Sequence, residues 1–351
     1  MNIKTPSVIQ FDLPQHLACP LPTEERGIER DEVRLLITTA HGQIEHSSFN
    51  HFPLFLHKGD VLVVNTSATI PSALPVSLPG LREGRLHLGT RLTNGQWLVE
   101  IRELTGNKTI RWRQGEEGMV FPLPGAGRVI LKHRFYKDSQ WLHLWVAEFL
   151  IHEPLQTYLL AHAQPIQYEK LDRLYPLSYY QTFFSFQPGS SEMPSAGRGF
   201  TTRLVEGLLK KGVILAPVIL HTGVSSLEEN ETPYPEYMEV DPVTAALINT
   251  AKADDRRIIA VGTTAVRAVE TAANSQGTVL PYRGYTDLFI DENYTVKVIN
   301  GLLTGFHEPR ASHLNMLQAV AGFQHLEQAY NEAVKGGYYW HQFGDLHLIL
   351  P

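Results

Sequence analysis

Residues 258–273 constrain the fold of this chain more than any other stretch. They open with Ile258-Ile259-Ala260-Val261, an apolar run in which three of the four residues are β-branched. This pattern predicts a short buried strand. Gly262 then permits a sharp turn into the next element. A buried strand that turns directly into a helix is typical of α/β folds, in which strands and helices alternate along the chain.

The helix after this turn is predicted to be capped by Thr263 or Thr264, and its apolar face includes Val266 and Val269. A joint of this kind leaves free backbone N–H groups and two hydroxyls at one place, which suits a polar or anionic group of a ligand. The alternative is an ordinary strand-to-helix connection, since many such connections bind nothing.

Composition limits the classes of protein to which the chain can belong. Its 351 residues are many for one domain, so two domains are expected. The single cysteine, Cys19, excludes an internal disulfide and a zinc site built from cysteines, and it agrees with a reducing cytoplasm. There is neither a signal-peptide core nor an apolar run long enough to span a bilayer, so we expect a cytoplasmic protein without a membrane partner. None of the 16 histidines pairs on a predicted helix with a carboxylate third ligand, so no metal site is predicted.

A different pattern occupies residues 76–150, where short β-rich runs alternate with turns. Asn94-Gly95 lies between two of these runs and is a strong hairpin signal. Strands at this spacing predict a small all-β barrel inserted into a larger domain. The predicted strands span residues 85–92, 96–104, 108–113, 128–133 and 141–149.

The charge of this insert differs from that of the whole chain. The formal net charge of −6 gives the protein no general attraction for a polyanion, but residues 76–150 carry 11 Lys and Arg against 7 Asp and Glu. A basic module with four tryptophans is a candidate surface for nucleic acid. The other interpretation is that the tryptophans fill the barrel core and the charges are solvated; we favour it for the tryptophans and leave the charges open. The tryptophans are Trp97, Trp112, Trp141 and Trp145.

The remaining residues, 1–75 and 151–351, alternate between apolar strands and helical patterns, which predicts an α/β domain with a parallel or mixed sheet. The predicted strands are 34–38 and 43–49, which form a hairpin through a turn at His41-Gly42, and 61–64, 213–220, 258–261, 286–290, 296–303 and 346–350. The predicted helices are 153–162, 242–252, 312–322, 327–335 and one that Thr201 or Thr202 caps and that runs to Lys211, with Gly212 as its stop. A long loop is predicted over residues 224–240, of the kind that often closes over a site.

Polar residues follow several of the predicted strands at the point where each strand ends. Ligands of α/β folds bind beyond the carboxyl ends of strands, so we expect these groups to share one site. His307 is a possible general base, and Arg310 a possible clamp for an anion. Asp287 can accept hydrogen bonds from ribose hydroxyls or from a base edge. The alternatives are a surface ion pair beside Glu308 and a capped turn at Asp287. The four strand ends are Asn65-Thr66-Ser67, His221-Thr222-Gly223, Gly262-Thr263-Thr264 and residues 304–310.

A series of short motifs, spread in order along the chain from about residue 10 to the C-terminus, resembles the S-adenosylmethionine:tRNA ribosyltransferase-isomerase family of queuosine biosynthesis. The Gly-Thr-Thr-x-Val-Arg run at Gly262 is the most specific of them. The others include residues 59–65, Tyr180-Gln181-Thr182, Ala196-Gly197, Phe200-Thr201, residues 220–223, Glu236-Tyr237, residues 284–290, Phe306-His307 and Gly344-Asp345.

The resemblance implies a large barrel-like α/β domain with an inserted small β-barrel. It also implies that the ribosyl part of S-adenosylmethionine moves onto a modified deazaguanine in tRNA, with release of adenine and methionine. S-adenosylmethionine is then a co-substrate, no metal is needed, and the basic insert is a candidate contact for tRNA; the oligomeric state stays open. The catalytic candidates are His307, Asp287 and Arg267. The substrate-binding candidates are Asn65, His221, Thr222, Glu236, Tyr237, Thr263, Thr264 and Arg310.

The chain departs from the family pattern at several polar positions. Arg198-Gly199 replaces a Leu-His pair, Thr66-Ser67-Ala68-Thr69 replaces Asp-Thr-Arg-Val, Gly305 replaces an Asn, and residues 231–236 keep only Glu236 of a longer polar run. These positions lie at strand ends or loops, where a substrate would be recognised. Two alternatives therefore stand beside the family activity: a divergent enzyme with another acceptor, and a ligand-binding protein without catalysis.

Overall fold

A nine-stranded mixed sheet, a seven-stranded antiparallel sheet and a two-stranded sheet form this protein. The computed structural model describes residues 8–19, 21–106, 108–136, 143–167, 174–224, 234–291, 293–340 and 342–351. The strands are β1 Arg34–Thr39, β2 Ile44–Ser48, β3 Val61–Asn65, β4 Ser67–Thr69, β5 Ala73–Leu78, β6 Arg82–Arg91, β7 Trp97–Thr105, β8 Lys108–Arg111, β9 Val120–Pro122, β10 Arg128–Arg134, β11 Leu144–Leu150, β12 Gln187–Ser190, β13 Ile214–Leu220, β14 Glu236–Val240, β15 Ile258–Val261, β16 Tyr282–Thr286, β17 Gly301–Gly305 and β18 Leu346–Leu350. The helices are α1 Thr23–Arg26, α2 Leu155–His162, α3 Thr202–Lys211, α4 Pro242–Ala253, α5 Thr263–Ala272, α6 His313–Ala321 and α7 Phe323–Lys335.

The large sheet has the strand order β16-β14-β13-β3-β15-β17-β18-β1-β2. Its centre is parallel: β3 lies between β13 and β15, and β17 follows on the other side of β15. The strand predicted first from the sequence, β15, is therefore central, and all four of its residues are buried. A central parallel strand has a layer on both faces, which is why it is apolar throughout rather than alternating.

Apolar clusters cover both faces of this sheet. One face packs against α3 and the aromatic 3-10 helix Phe49–Phe55. The other face packs against α4, α5, α6 and α7. The α/β layering expected from the sequence is therefore confirmed.

The sheet curls around α5. This helix contacts β15, β3, β13, β14 and β16, which are five consecutive strands of the sheet. Five flat strands would span roughly 19 Å, which is wider than a helix of about 10 Å diameter. One helix can touch all five only if the sheet bends around it, and this gives the domain its barrel-like form.

The seven-stranded sheet forms the inserted barrel, in the order β5-β6-β7-β11-β10-β9 with β8 beside β7. Strands β5 and β9 also contact each other, so the barrel is nearly closed. Trp112 and Trp145 are each only 2% exposed in its core, as favoured from the sequence, and the partly buried Trp97 packs against that core. Trp141 lies outside the described residues. Tyr158 and Leu159 of α2 pack into the same core. The domain boundaries at residues 76 and 150 stay a prediction.

Local signals predicted several elements correctly. The hairpin of β1 and β2 is present. Thr201 caps α3 by accepting a hydrogen bond from the Leu204 N–H, and Gly212 ends that helix with a φ of 85°. The Asn94-Gly95 turn lies between β6 and β7, where Gly95 has a φ of 85°.

Three local predictions were wrong, and the strand predicted over 296–303 begins only at Gly301, as β17. The cap of α5 is Gly262, with a φ of 88° and no side-chain cap, so Thr263 and Thr264 are already helical. In place of the strand predicted over 286–290, the structure has β16, which ends at Thr286. The reason is that residues 282–286, rather than 286–290, pair with β14. The loop predicted over 224–240 contains β14, which is held between β13 and β16; residues 225–233 of that loop lie outside the described residues.

Within the described residues, no helix is long and apolar enough to cross a membrane.

Glu270 connects α5 to the segment that leads into β17. Its side chain is buried, and its carboxylate accepts hydrogen bonds from the backbone N–H groups of Lys297 at 3.0 Å, Val298 at 2.9 Å and Ile299 at 3.4 Å. The hydroxyl of Tyr294 donates a further bond at 3.2 Å. One carboxylate thus satisfies donors that would otherwise be buried without a partner.

We expect Glu270→Gln to lower the free energy of unfolding by about 2 kcal/mol, because the amide has one acceptor oxygen and turns an N–H group towards backbone donors. Urea unfolding measures this loss. The matched control is Glu206→Gln on the solvent-facing side of α3, where the ion pair of Glu206 with Lys210 is largely solvated. This change should alter stability by less than about 0.5 kcal/mol. Equal stability of the two variants would contradict the role given to Glu270.

Candidate functional site

Six strands of the large sheet bring polar residues to one edge. The carboxyl ends of β13, β3, β15, β17 and β16 lie at this edge, together with the amino end of the antiparallel β14. The convergence expected from the sequence is therefore present in the topology. The residues that follow or end these strands are Asn65, His221, Thr222, Glu236, Thr263, Thr264, Asp287 and His307.

Asn65 joins three of these strand ends. Its side-chain N–H donates to the Leu220 carbonyl at 2.9 Å and to the Thr264 hydroxyl at 3.2 Å. Its side-chain oxygen accepts from the N–H groups of Leu220 at 3.0 Å and Ser67 at 3.1 Å. Because Asn65 is buried and its amide is engaged on both sides, it holds the edge in shape.

His221 is held by two serines that the candidate residues did not include. Ser67 Oγ lies 2.7 Å from His221 Nδ1 and 2.6 Å from Ser190 Oγ. Ser190 Oγ also accepts the Thr222 N–H at 3.1 Å. Gly189 makes this approach possible, because a Cβ there would lie 2.5 Å from the imidazole. The polar end of β3 was visible in the sequence, but its pairing with Ser190 was not.

The imidazole of His221 is neutral at physiological pH. Burial lowers its pKa to about 4, and the charge of Glu239 only partly offsets this effect. Its ring stacks on Tyr237, with ring centroids 5.4 Å apart. A neutral imidazole has one donor and one acceptor nitrogen. Since Nδ1 is hydrogen-bonded to Ser67, Nε2 is the nitrogen left to donate or accept a hydrogen bond with a ligand.

Arg267 lies inside the protein rather than open to a ligand. Its guanidinium pairs with Glu236 and donates to the carbonyls of Leu288 at 3.1 Å and Thr286 at 3.3 Å. Glu236 in turn accepts the Gly223 N–H at 2.5 Å. Arg267 therefore binds the end of β16 to α5 and places Asp287, the residue after that strand, beside this helix.

The start of α5 faces the same edge. Thr263 and Thr264 are its first two residues, and both are partly exposed. The N–H of Val266 already bonds to the Gly262 carbonyl at 3.3 Å. The N–H groups before Val266 have no acceptor within the helix, which makes this end of α5 suited to an anionic group.

His307 lies on the α5 side of the sheet. Its Nε2 is 3.1 Å from the hydroxyl of Thr304, which is buried in β17. Its backbone is fixed by the Tyr330 hydroxyl, which accepts the His307 N–H at 3.2 Å, and by the Trp340 indole N–H, which donates to its carbonyl at 2.9 Å. The ring of His313 stacks on it with centroids 4.6 Å apart. The imidazole is thus partly buried and rigidly placed.

Asp287 and Arg310 are both exposed. Burial raises the pKa of the Tyr136 phenol, and the negative charge of Asp287 adds to this increase, so the carboxylate lies near this residue of the insert. Arg310 has a left-handed backbone with a φ of 69°. Among the described residues, no group of three or more His, Cys, Asp or Glu is arranged to hold a metal ion.

Comparison with known proteins identifies relatives over nearly the whole chain. Residues 7–349 match the family model described as Queuosine biosynthesis protein. The S-adenosylmethionine:tRNA ribosyltransferase-isomerase of Desulfitobacterium hafniense is 33% identical over 97% of this chain and 98% of its own length. The enzyme of the same name from Moorella thermoacetica is 34% identical over the same shares. A crystal structure of S-adenosylmethionine tRNA ribosyltransferase from Thermotoga maritima is similar with a TM-score of 0.54 and 27% identity, over 97% of this chain and 99% of that one.

We expect His221 to make stability depend on pH. Its folded pKa of about 4 lies below the ordinary value of 6.5, so between these values the unfolded chain binds more protons. The free energy of unfolding therefore falls as the pH falls from about 6.5 to about 4, by at most about 1.4 kcal/mol per pH unit from this residue. His221→Gln should remove that part of the slope.

Two measurements check this prediction. Titration of histidine ring resonances by NMR should give His221 a pKa near 4, and urea unfolding at pH 7 and pH 5 should show a smaller loss in His221→Gln. His87 and His347, whose pKa burial lowers to about 3, contribute equally to both proteins and cancel in the difference. An identical pH dependence in the two proteins would refute the buried, neutral state of His221.

Proposed function

The chain belongs to the queuosine biosynthesis protein family, and we propose that it transfers and isomerises the ribosyl moiety of S-adenosylmethionine onto a 7-aminomethyl-7-deazaguanine in tRNA. The observation that carries this proposal is the shared edge of six strand ends, together with the relatives of that name over nearly the whole chain. S-adenosylmethionine is the co-substrate and tRNA the acceptor. We propose a cytoplasmic enzyme that works without a metal ion.

The reaction requires groups that move protons. Release of adenine and methionine breaks the bond between ribose and adenine and the bond between ribose and the sulfonium, whose sulfur keeps the electron pair. Two bonds replace them: the acceptor amine bonds to the ribosyl part, and the isomerisation closes a second bond within that part. The amine and the ribosyl part each lose a proton as these bonds form; adenine takes up one proton as it leaves, and the other is released. We assign this proton transfer to His307, whose imidazole is fixed at the edge by Thr304.

The other candidate residues bind and orient the donor. The start of α5, with Thr263 and Thr264, suits a carboxylate such as that of the methionine part. Asp287 is exposed at the same edge and suits ribose hydroxyls or a base edge. His221 offers Nε2 as a hydrogen-bonding group, and Tyr237 supports its ring. Holding the reactants in place in this way supplies much of the rate of such an enzyme.

Arg267, Glu236, Asn65 and Thr222 act one step away from the ligand. All four side chains are hydrogen-bonded to other parts of the protein, and those of Asn65, Glu236 and Arg267 are buried, so we assign them the role of positioning the groups that touch substrate. Arg310, exposed beyond β17, keeps its proposed role as an anion clamp.

The insert is proposed to contact tRNA, but not through all of its basic residues. Arg102 and Arg111 each lie 2.9 Å from Glu100, and all three side chains are buried. Reversing the charge of Arg111 would therefore break a buried ion pair rather than test a surface contact. Only exposed basic side chains of the insert can meet a phosphate.

Incubation with S-adenosylmethionine tests the function, with adenine measured by chromatography. We expect adenine release only when precursor-containing tRNA is present. Release without tRNA would instead support an enzyme with another acceptor. Measurable binding of S-adenosylmethionine without any release would support a binding protein.

We expect His307→Gln and Asp287→Asn to lower kcat for adenine release by about 10²-fold or more, because each removes a group that contacts the reacting molecule. Controls with the same chemical change at exposed positions outside the edge are His133→Gln and Asp254→Asn, which should retain normal kcat. Full activity of His307→Gln would remove that residue from the proton transfer.

A further inference from the structure

A row of aromatic side chains leads from the candidate site towards the insert. The ring of His221 stacks on Tyr237 at 5.4 Å, with an interplanar angle of 24°. Tyr237 meets Tyr285 edge-to-face at 5.8 Å and 80°. The hydroxyl of Tyr285 donates to the backbone carbonyl of Arg91 at 2.6 Å. We call the rings of His221, Tyr237 and Tyr285, together with Arg91 at their far end, the aromatic strip.

Strand pairing places this strip on the outer side of the sheet. Tyr237 and Tyr285 are directly opposite each other in the antiparallel pair of β14 and β16. Their neighbours Met238 and Val240 point to the opposite face, where both are buried in the core that surrounds α5. Tyr237 and Tyr285 are only partly buried, so the strip forms part of the molecular surface.

Arg91 brings a positive charge to the far end of the strip. The pairing of β6 and β7 is irregular between Leu88 and Arg91, and such a bulge redirects the side chains beyond it. At the irregularity the Ser191 hydroxyl of the large domain donates to the Gly89 carbonyl at 3.0 Å, which ties this part of the insert to the sheet. Together with the bond from the Tyr285 hydroxyl to the Arg91 carbonyl, this contact holds the backbone around Arg91 against the large sheet.

No residue that the structure describes neutralises the charge of Arg91. Its side chain is exposed and forms no ion pair with any residue that the structure describes. It lies close enough to Tyr285 to counteract part of the increase in the pKa of that phenol that burial causes. By contrast, Arg283 on the same strand as Tyr285 is paired with Glu239 at 2.9 Å.

We propose that the aromatic strip binds the unpaired segment of tRNA next to the modified base: a neighbouring base stacks on Tyr285, and the adjacent phosphate binds Arg91. This inference rests on the proposed function. Single-stranded RNA is recognised by bases stacked on aromatic side chains, with cationic groups on the backbone. The strip supplies both, and it leads directly to His221 at the candidate site. A small acceptor would need only the edge and would leave Tyr285 and Arg91 without a role.

Kinetics with varied tRNA test this proposal. We expect Tyr285→Leu to raise KM for tRNA by about tenfold or more, because stacking of a base on an aromatic ring is lost. KM for S-adenosylmethionine should stay unchanged, which also shows that the variant is folded. Tyr285→Phe keeps the ring and loses only the hydroxyl, so its KM for tRNA should stay within about twofold of normal.

Arg91→Gln should raise KM for tRNA and reduce the salt dependence of tRNA binding by about one ion, since one phosphate contact is lost. Arg128→Gln is the matched control: it removes the same charge from an exposed position of the same insert, on β10, three strands away from β6. If Arg128→Gln weakens tRNA binding as much as Arg91→Gln does, the effect is general attraction and the proposal for Arg91 is overturned.

The outcomes separate this inference from the proposed function. Adenine release that depends on tRNA, with normal KM for tRNA in Tyr285→Leu and Arg91→Gln, would overturn the strip and leave the function standing. If the protein releases no adenine with any tRNA, the function fails, and fluorescence anisotropy with labelled tRNA still tests the strip. Weaker binding of labelled tRNA by Tyr285→Leu and Arg91→Gln, but not by Tyr285→Phe or Arg128→Gln, supports binding of tRNA at the aromatic strip. Equal tRNA binding by all four variants refutes it.

Discussion

The burial of α5 on nearly every face is the constraint on which this structure depends. A helix enclosed by a curled sheet must be narrow, and Ala265, Ala268 and Ala272 keep it so. It must also leave no charge without a partner, since an unpaired charge inside a protein is very costly. Its two buried charges, Arg267 and Glu270, are both satisfied by partners outside the helix.

These two charges also determine where the candidate site lies. Arg267 holds the backbone on either side of Asp287 through two carbonyl groups. Glu270 holds the segment that enters β17, and His307 follows the end of that strand. The helix thus fixes groups on both sides of its own start, where Thr263 and Thr264 lie. The same interactions that stabilise the fold therefore place the groups proposed to act on the substrate.

Local patterns were sufficient to predict most strands of the large sheet, their polar ends and the inserted barrel, because each rests on neighbouring residues in the chain. They missed β14 and misplaced β16. They could not predict partners that are distant in sequence. Ser67 and Ser190 are 123 residues apart, yet they meet beside His221. In the same way Arg111 resembles a surface charge in the sequence, and only the fold shows it buried against Glu100. Sequence patterns thus identified where chemistry collects but not which side chains remain open to a ligand.

The departures from the family pattern are built into the packing of this protein. Arg198, where the family usually has an apolar residue, is buried and pairs with Glu24, and it donates to the Thr23 hydroxyl at 3.0 Å. The next residue is Gly199, and a Cβ there would lie 2.8 Å from the Phe49 ring. Both residues thus contact segments that lie far away in the chain, and the packing around them accommodates this departure from the family pattern.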